Sequence, residues 1–359
     1  MKIIGFDLLK WFLRPVLRWV RNNIMTTPVP KTDFEAKVRL REAEQQKWSE
    51  EISERKELAK QFANSDGLSI STKQGLALIK NEKEGNVEAA LEVINDIVES
   101  GIPLSSKKKF LRQYELDITL PINSPLIDLV TSDSVLGAAT RYLGQIPMVN
   151  IMLISYSPKN RPFEGSSQYY HLDGHHYPLD VDEPTQIKLV MLACDADEES
   201  GPFTALTREA SKEAYKALVG KKRSALDKNC PQWNAIIEHG SRIDDDTMYK
   251  YCDRSNVNKL VGKRGDMMLV DTNRCYHYGS RPGSKDRWVF FVEFFRADDP
   301  ELFHGDEIDR PLPSWLTEGL APREKRIREL LFQNYQRNLS PSTAAKMIDH
   351  KAGELSISH

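Results

Sequence analysis

Arg287-Trp288-Val289-Phe290-Phe291-Val292-Glu293-Phe294-Phe295 is a short run of mostly aromatic and β-branched residues. A stretch of this length and composition reads as a strand with both faces buried. Three other runs share its texture: residues 148–156, 186–194 and 267–271. The connections between them are long and unequal, with no regular alternation of strand and helix. That pattern predicts an antiparallel sandwich or barrel instead of βα units. Trp288 points to the face opposite Arg287 and is read as core. Arg287 itself opens an apolar strand, where an unpaired guanidinium would be costly to bury.

Outward from these strands lie the polar residues that carry chemistry. A loop with Pro158, Pro162, Gly165, Ser166 and Ser167 leads into Tyr169-Tyr170-His171-Leu172-Asp173-Gly174. On a strand, His171 and Asp173 point to the same side. A second imidazole from Tyr276-His277-Tyr278-Gly279-Ser280 would complete a face of two imidazoles and one carboxylate. With open positions opposite, that set suits Fe(II) in oxygen chemistry. Arg287, ten residues after His277, offers a fixed cation to a dicarboxylate. A lone His-x-Asp is a weak signal, and its placement after an apolar strand and beside Tyr169, Tyr170 and Tyr177 strengthens it. His175 and His176 compete, since His171 and His175 at helical spacing would suggest zinc. The zinc-hydrolase pattern needs a glutamate at position 172, which is leucine. His175 and His176 are therefore read as pocket-lining, and His239, His304, His350 and His359 as surface residues.

Composition bounds the function class. The 359 residues carry a formal charge of −2, so no general excess of cations argues for nucleic-acid binding. Apolar residues make up 40 %, enough for a core. Cys194, Cys230, Cys252 and Cys275 show no metal-ribbon or disulfide spacing, which favours reduced thiols and a cytoplasmic location.

The chain divides into an amphipathic helix over 1–25, a helical region over 26–120, a β core over 121–300 with an insertion at 208–260, and a helical tail over 301–359. Within residues 1–24, Asp7, Lys10, Arg14, Arg18 and Arg21 line one helical stripe against bulky apolar residues, and Pro15 should kink the helix. Its uncharged runs are too short to span a bilayer, and no secretory cleavage site follows. Two readings stay open: a helix docked on protein, or a peripheral helix lying on a membrane surface through Trp11, Phe12, Trp19 and the basic stripe. Residues 33–62 read as a solvated helix, and 72–80 and 86–100 as amphipathic helices. Residues 125–143 read as another helix, closed by Gly144. The tail helix is expected over 322–337.

The segment from about Pro125 to Arg296 resembles the phytanoyl-CoA dioxygenase family of iron- and 2-oxoglutarate-dependent oxygenases. The matching residues are His171-Leu172-Asp173, Glu199-Ser200-Gly201-Pro202, Gly265-Asp266, His277 with Gly279-Ser280, and Arg287; Pro125–Leu129 and Tyr142-Leu143-Gly144 are also similar. Leu206-Thr207-Arg208-Glu209 departs from the Gly-Ser-His-like segment usual after that turn. The resemblance implies a double-stranded β-helix (jelly-roll) core packed by N- and C-terminal helices. It further implies Fe(II) on His171, Asp173 and His277, with 2-oxoglutarate on Arg287 and O2 as the second co-substrate. The implied activity is hydroxylation of a C–H bond of a small or lipid-like molecule, with release of succinate and CO2. The carboxylate of Asp173 favours hydroxylation over halogenation. Lys188 and Asn150 are further candidates for the co-substrate pocket. Lys188 interrupts an apolar strand, so it either snorkels to water, the preferred expectation, or meets a carboxylate. The alternatives are a jelly-roll metal- or ligand-binding protein without oxidative chemistry, and a membrane-surface adaptor with a degenerate β domain.

Overall fold

A computed structural model describes residues 42, 43, 46–63, 68–81, 85–100, 105–173, 184–224, 242–297, 312–333 and 335. The chain divides into two compact units, Met1–Lys47 and Trp48–His359, and every element named below belongs to the second. The stretch 1–24, His175, His176, Tyr177 and Cys230 lie outside the described residues, as do His239, His304, His350 and His359. No helix among the described residues is long and apolar enough to cross a membrane.

The four apolar runs form β4 (Met148–Ser157), β5 (Gln186–Leu192), β8 (Met267–Val270) and β10 (Arg287–Phe295). β10 is central, pairing antiparallel with β4 on one side and β5 on the other. Three further strands join them: β1 (Leu76–Ile79), β2 (Ser105–Lys108) and β3 (Leu111–Glu115). The seven-stranded sheet runs β1-β8-β5-β10-β4-β3-β2. A second sheet is built from β6 (Thr204–Leu206), β7 (Val257–Lys259) and β9 (His277–Tyr278), in the order β7-β6-β9.

Strand alternation explains why the large sheet is apolar on both sides. Ile187, Leu189 and Met191 of β5 share one face with Phe290, Val292 and Phe294 of β10, and that face packs against helices. The helices are α2 (Gly85–Glu99), α3 (Ser124–Thr131), α4 (Ala138–Leu143) and α7 (Pro322–Phe332), which contribute Leu91, Ile94, Leu126, Ile127, Ala139 and Leu331. Val190, Leu192, Val270 and Val289 turn the other way and meet Ala205 of the small sheet, together with Leu260 and Cys275. Each fully buried aliphatic or aromatic side chain contributes roughly 1.5–3 kcal/mol. The fold is therefore antiparallel sheets with helical layers, and the polar residues of interest sit on the inner face.

Several local expectations are corrected. Residues 76–79 form strand β1, not a helix, because Leu76 through Ile79 pair with Val270 through Met267. Strand pairing overrides a weak helical pattern here. The β2–β3 hairpin likewise lies in a stretch read as helical. The single helix expected over 125–143 is broken. Ser132 adopts an extended backbone with its hydroxyl on Leu129 O, the competition with helix bonding that serine offers. Gly144, at φ 73°, does close α4. Helix α1 (Ser49–Ala63) is docked as well as solvated: Arg55 is fully buried and donates to Ile146 O, Pro147 O and Leu330 O. Within 208–260, helices α5 (Arg208–Ser224) and α6 (Asp245–Met248) fit an insertion, whereas β7 is part of the small sheet.

Candidate metal centre

His277 is delivered by β9, which pairs with β6 through Ala205. His171 is held beside it by a reciprocal pair of backbone bonds, His171 N to His277 O at 3.0 Å and His277 N to His171 O at 2.9 Å. Residues directly opposite in an antiparallel pair share a face, so the two rings meet, with centroids 4.2 Å apart. Asp173 is anchored by its own amide to Thr272 O. One ligand atom from each of His171, Asp173 and His277 lies within 4.8 Å of the others. Asp173 Oδ1 is 3.6 Å from His171 Nε2, and Oδ2 is 3.4 Å from His277 Nε2.

The tautomers follow from the bonding. His171 Nδ1 faces Tyr169 O at 2.9 Å, and His277 Nδ1 faces Cys275 O at 3.1 Å. A carbonyl only accepts, so each Nδ1 carries the proton and each Nε2 lone pair points at the shared space. Burial, reinforced by the neighbouring His277 ring, pushes the His171 pKa well below its usual value, which keeps the ring neutral and able to ligate. Burial alone would raise the Asp173 carboxyl. The Lys188 ammonium and the His277 ring outweigh it and hold that carboxyl well below the usual carboxylate range. Two imidazoles and a carboxylate form a donor set that fits a divalent cation of the Fe(II) type.

Lys188 does not snorkel. It is buried between Asp173 Oδ2 at 2.6 Å and Glu293 Oε1 at 2.5 Å. Glu293 stands directly opposite Lys188 in the β5–β10 ladder. The other Glu293 oxygen accepts from Asn150 Nδ2 at 2.7 Å. Gln186 Nε2 donates to Thr272 Oγ1 at 2.6 Å, on the strand end that also anchors Asp173. Asn150 thus reaches the site through Glu293.

Arg287 is 2 % exposed and fully enclosed. Its Nη2 reaches Ser280 Oγ at 3.1 Å and Ser157 Oγ at 3.5 Å. Its Nε and Nη1 are buried with no hydrogen-bond partner. Burial, and the nearby Arg161 cation, pull its pKa downward. Ser280 is held at φ 57°, an uncommon backbone for serine, with its carbonyl accepting from Gln168 and Arg161. Such strain gathers where the surroundings overdetermine a conformation. The Phe203 ring lies 5.6 Å from that of His277.

The structure thus brings His171, Asp173, His277 and Lys188 together, puts Asn150 one residue behind them, and leaves Arg287 on the β10 side. Sequence reasoning missed Glu293, Gln186, Phe203 and Ser157. Glu293 carried a usable signal: it breaks an apolar run just as Lys188 does, and two opposite charges in two buried strands invite pairing. Ser157, Gln186 and Phe203 carried none.

No protein-family model matches the chain, and no curated protein is similar to it. Solved structures similar to it include EctD from S. alaskensis with 2-oxoglutarate and 5-hydroxyectoine, at 14 % identity, 71 % of this chain, 82 % of that chain and a TM-score of 0.43. HygX from Streptomyces hygroscopicus with nickel and 2-oxoglutarate is similar at 13 % identity, 62 % of this chain, 84 % of that chain and a TM-score of 0.39. The non-heme alpha ketoglutarate dependent carbocyclase SnoK from nogalamycin biosynthesis is similar at 15 % identity, 62 % of this chain, 80 % of that chain and a TM-score of 0.40.

Proposed function

We propose that the chain is an Fe(II)- and 2-oxoglutarate-dependent oxygenase that hydroxylates a C–H bond of a small molecule. The observation that carries this reading is the pairing of two features: a convergent His171–Asp173–His277 donor set and, nearby, a buried Arg287 with two unsatisfied nitrogens. An enclosed guanidinium lacking an acid is costly unless an anion comes to it. A dicarboxylate meets that need. The finer assignment, a phytanoyl-CoA dioxygenase-like member with a jelly-roll core, rests on the motif residues Gly201, Gly265, Asp266 and Gly279; Gly265-Asp266 leads into β8 and Gly279 follows β9.

When bound, the ferrous ion and 2-oxoglutarate supply the oxidising equivalents from O2, with succinate and CO2 as by-products. The chain's part is to bind and orient. Nε2 of His171, Nε2 of His277 and Asp173 Oδ1 would hold the metal, while Lys188 keeps Oδ2 engaged. Arg287, set by Ser157 and Ser280, would take the far carboxylate of the co-substrate. Phe203 and the enclosed strand faces exclude water from one wall. The test is succinate release with added Fe(II) and 2-oxoglutarate. Wild type should turn over and Asp173→Ala should fall to background; equal release from both would remove the proposal.

A further inference from the structure

A further cation, Arg242, stands close enough to the donor set to feel the charge of Asp173. Tyr170 and Ile243 exchange both backbone bonds, Tyr170 N to Ile243 O at 2.9 Å and Ile243 N to Tyr170 O at 2.8 Å. That antiparallel ladder, continued by one residue, puts Arg242 opposite His171. Opposed residues have their Cβ atoms about 4.5–5.5 Å apart on one face. Tyr170 turns its backbone groups to Ile243, while His171 turns its own to His277. Arg242, His171 and His277 therefore form a row across three chain segments, all on the metal side.

The Arg242 Nη1 is buried with no hydrogen-bond partner, and no ion pair joins Arg242 to an acid among the described residues. Burial lowers its pKa, and Asp173 is the acid whose charge it feels. Lys108 adds a second positive charge from the end of β2. Its ammonium donates to Ser167 Oγ at 3.1 Å, and burial, then the neighbouring Arg242 cation, lowers its pKa while Asp173 opposes them. Among the described residues, Arg242 thus faces a carboxylate that already holds Lys188.

The co-substrate does not account for this cation. With one end on the metal and its far carboxylate on Arg287, 2-oxoglutarate has no carboxylate left for Arg242. We infer that Arg242 binds an anionic group of the primary substrate, so that the enzyme acts on a small molecule bearing a carboxylate, sulfate or phosphate. This rests on the oxygenase reading for the word substrate, but the anion site itself does not.

The test uses inorganic sulfate as the probe, titrated calorimetrically at constant ionic strength into the full chain holding Mn(II) and saturating 2-oxoglutarate. Wild type should bind sulfate. Arg242→Gln should bind it about ten-fold more weakly, the scale of a lost charge-assisted hydrogen bond, and Arg242→Lys should fall between. Affinity for 2-oxoglutarate should stay within about twofold in both variants, since that contact belongs to Arg287. If Arg242→Gln does not fold, Arg242→Lys carries the comparison. Absence of sulfate binding in wild type, equal binding in the variants, or a matching loss of 2-oxoglutarate affinity would overturn the inference. The same titration in Arg287→Ala without co-substrate separates the two claims. A sulfate site sensitive to Arg242 there stands even if 2-oxoglutarate fails to bind.

Discussion

At the scale of single residues, the buried Arg287 bears a desolvation cost in the ligand-free protein. Two of its nitrogens are buried and unsatisfied, each group worth about 1–3 kcal/mol of desolvation. Arg287→Met should therefore raise the stability of the ligand-free protein, measured by urea unfolding, while 2-oxoglutarate affinity falls by about 10- to 100-fold. A site selected for binding and not for stability behaves this way. Lys188 predicts the opposite. Removing it strands Asp173 and Glu293 in the interior, so Lys188→Met should cost about 3–5 kcal/mol, and adding Glu293→Gln should return part of that loss. His171 gives a pH dependence with a definite sign. Its folded pKa is depressed by burial below the ordinary histidine value of 6.5. The unfolded chain then takes up the proton first as pH falls below 6.5, so the metal-free protein loses stability from that point downward. His171→Asn should flatten the slope of melting temperature against pH in that window.

At the scale of elements, the four buried strands were legible because an unbroken apolar run of strand length has few other uses. The candidate donor residues stood out because a polar triplet beside such runs needs a reason. Strand β1 and the β2–β3 hairpin were not, since their residues are short and mixed and become strands only through partners such as Met267–Val270. Nor could the sequence show that Lys188 faces Glu293, because that depends on the register of β5 against β10. The turn Glu199-Ser200-Gly201-Pro202 was read as a motif, and the structure supplies its reason. Gly201 sits at φ 59°, and a Cβ there would come within 2.2 Å of Arg161 Nη2 and of Arg281 O. Gly201→Ala should destabilise the fold by several kcal/mol, at least the ~1–3 kcal/mol of a strained backbone, and lower the melting temperature accordingly. A loss no larger than a surface substitution would show that the turn has room to shift.

At the scale of the whole molecule, every residue assigned a role lies in the unit Trp48–His359. The bridges Tyr170–Ile243 and His171–His277 bring three distant parts of the sequence side by side. Distance along the chain hid Arg242, which belongs to no motif. The proposed chemistry needs one set of donors acting together. Calorimetric titration of Mn(II) into the metal-free chain measures that directly. One equivalent should bind in wild type, with about 10- to 100-fold weaker binding or none in His171→Ala, Asp173→Ala and His277→Ala alike. Retention of wild-type affinity by any one of the three would contradict a shared centre.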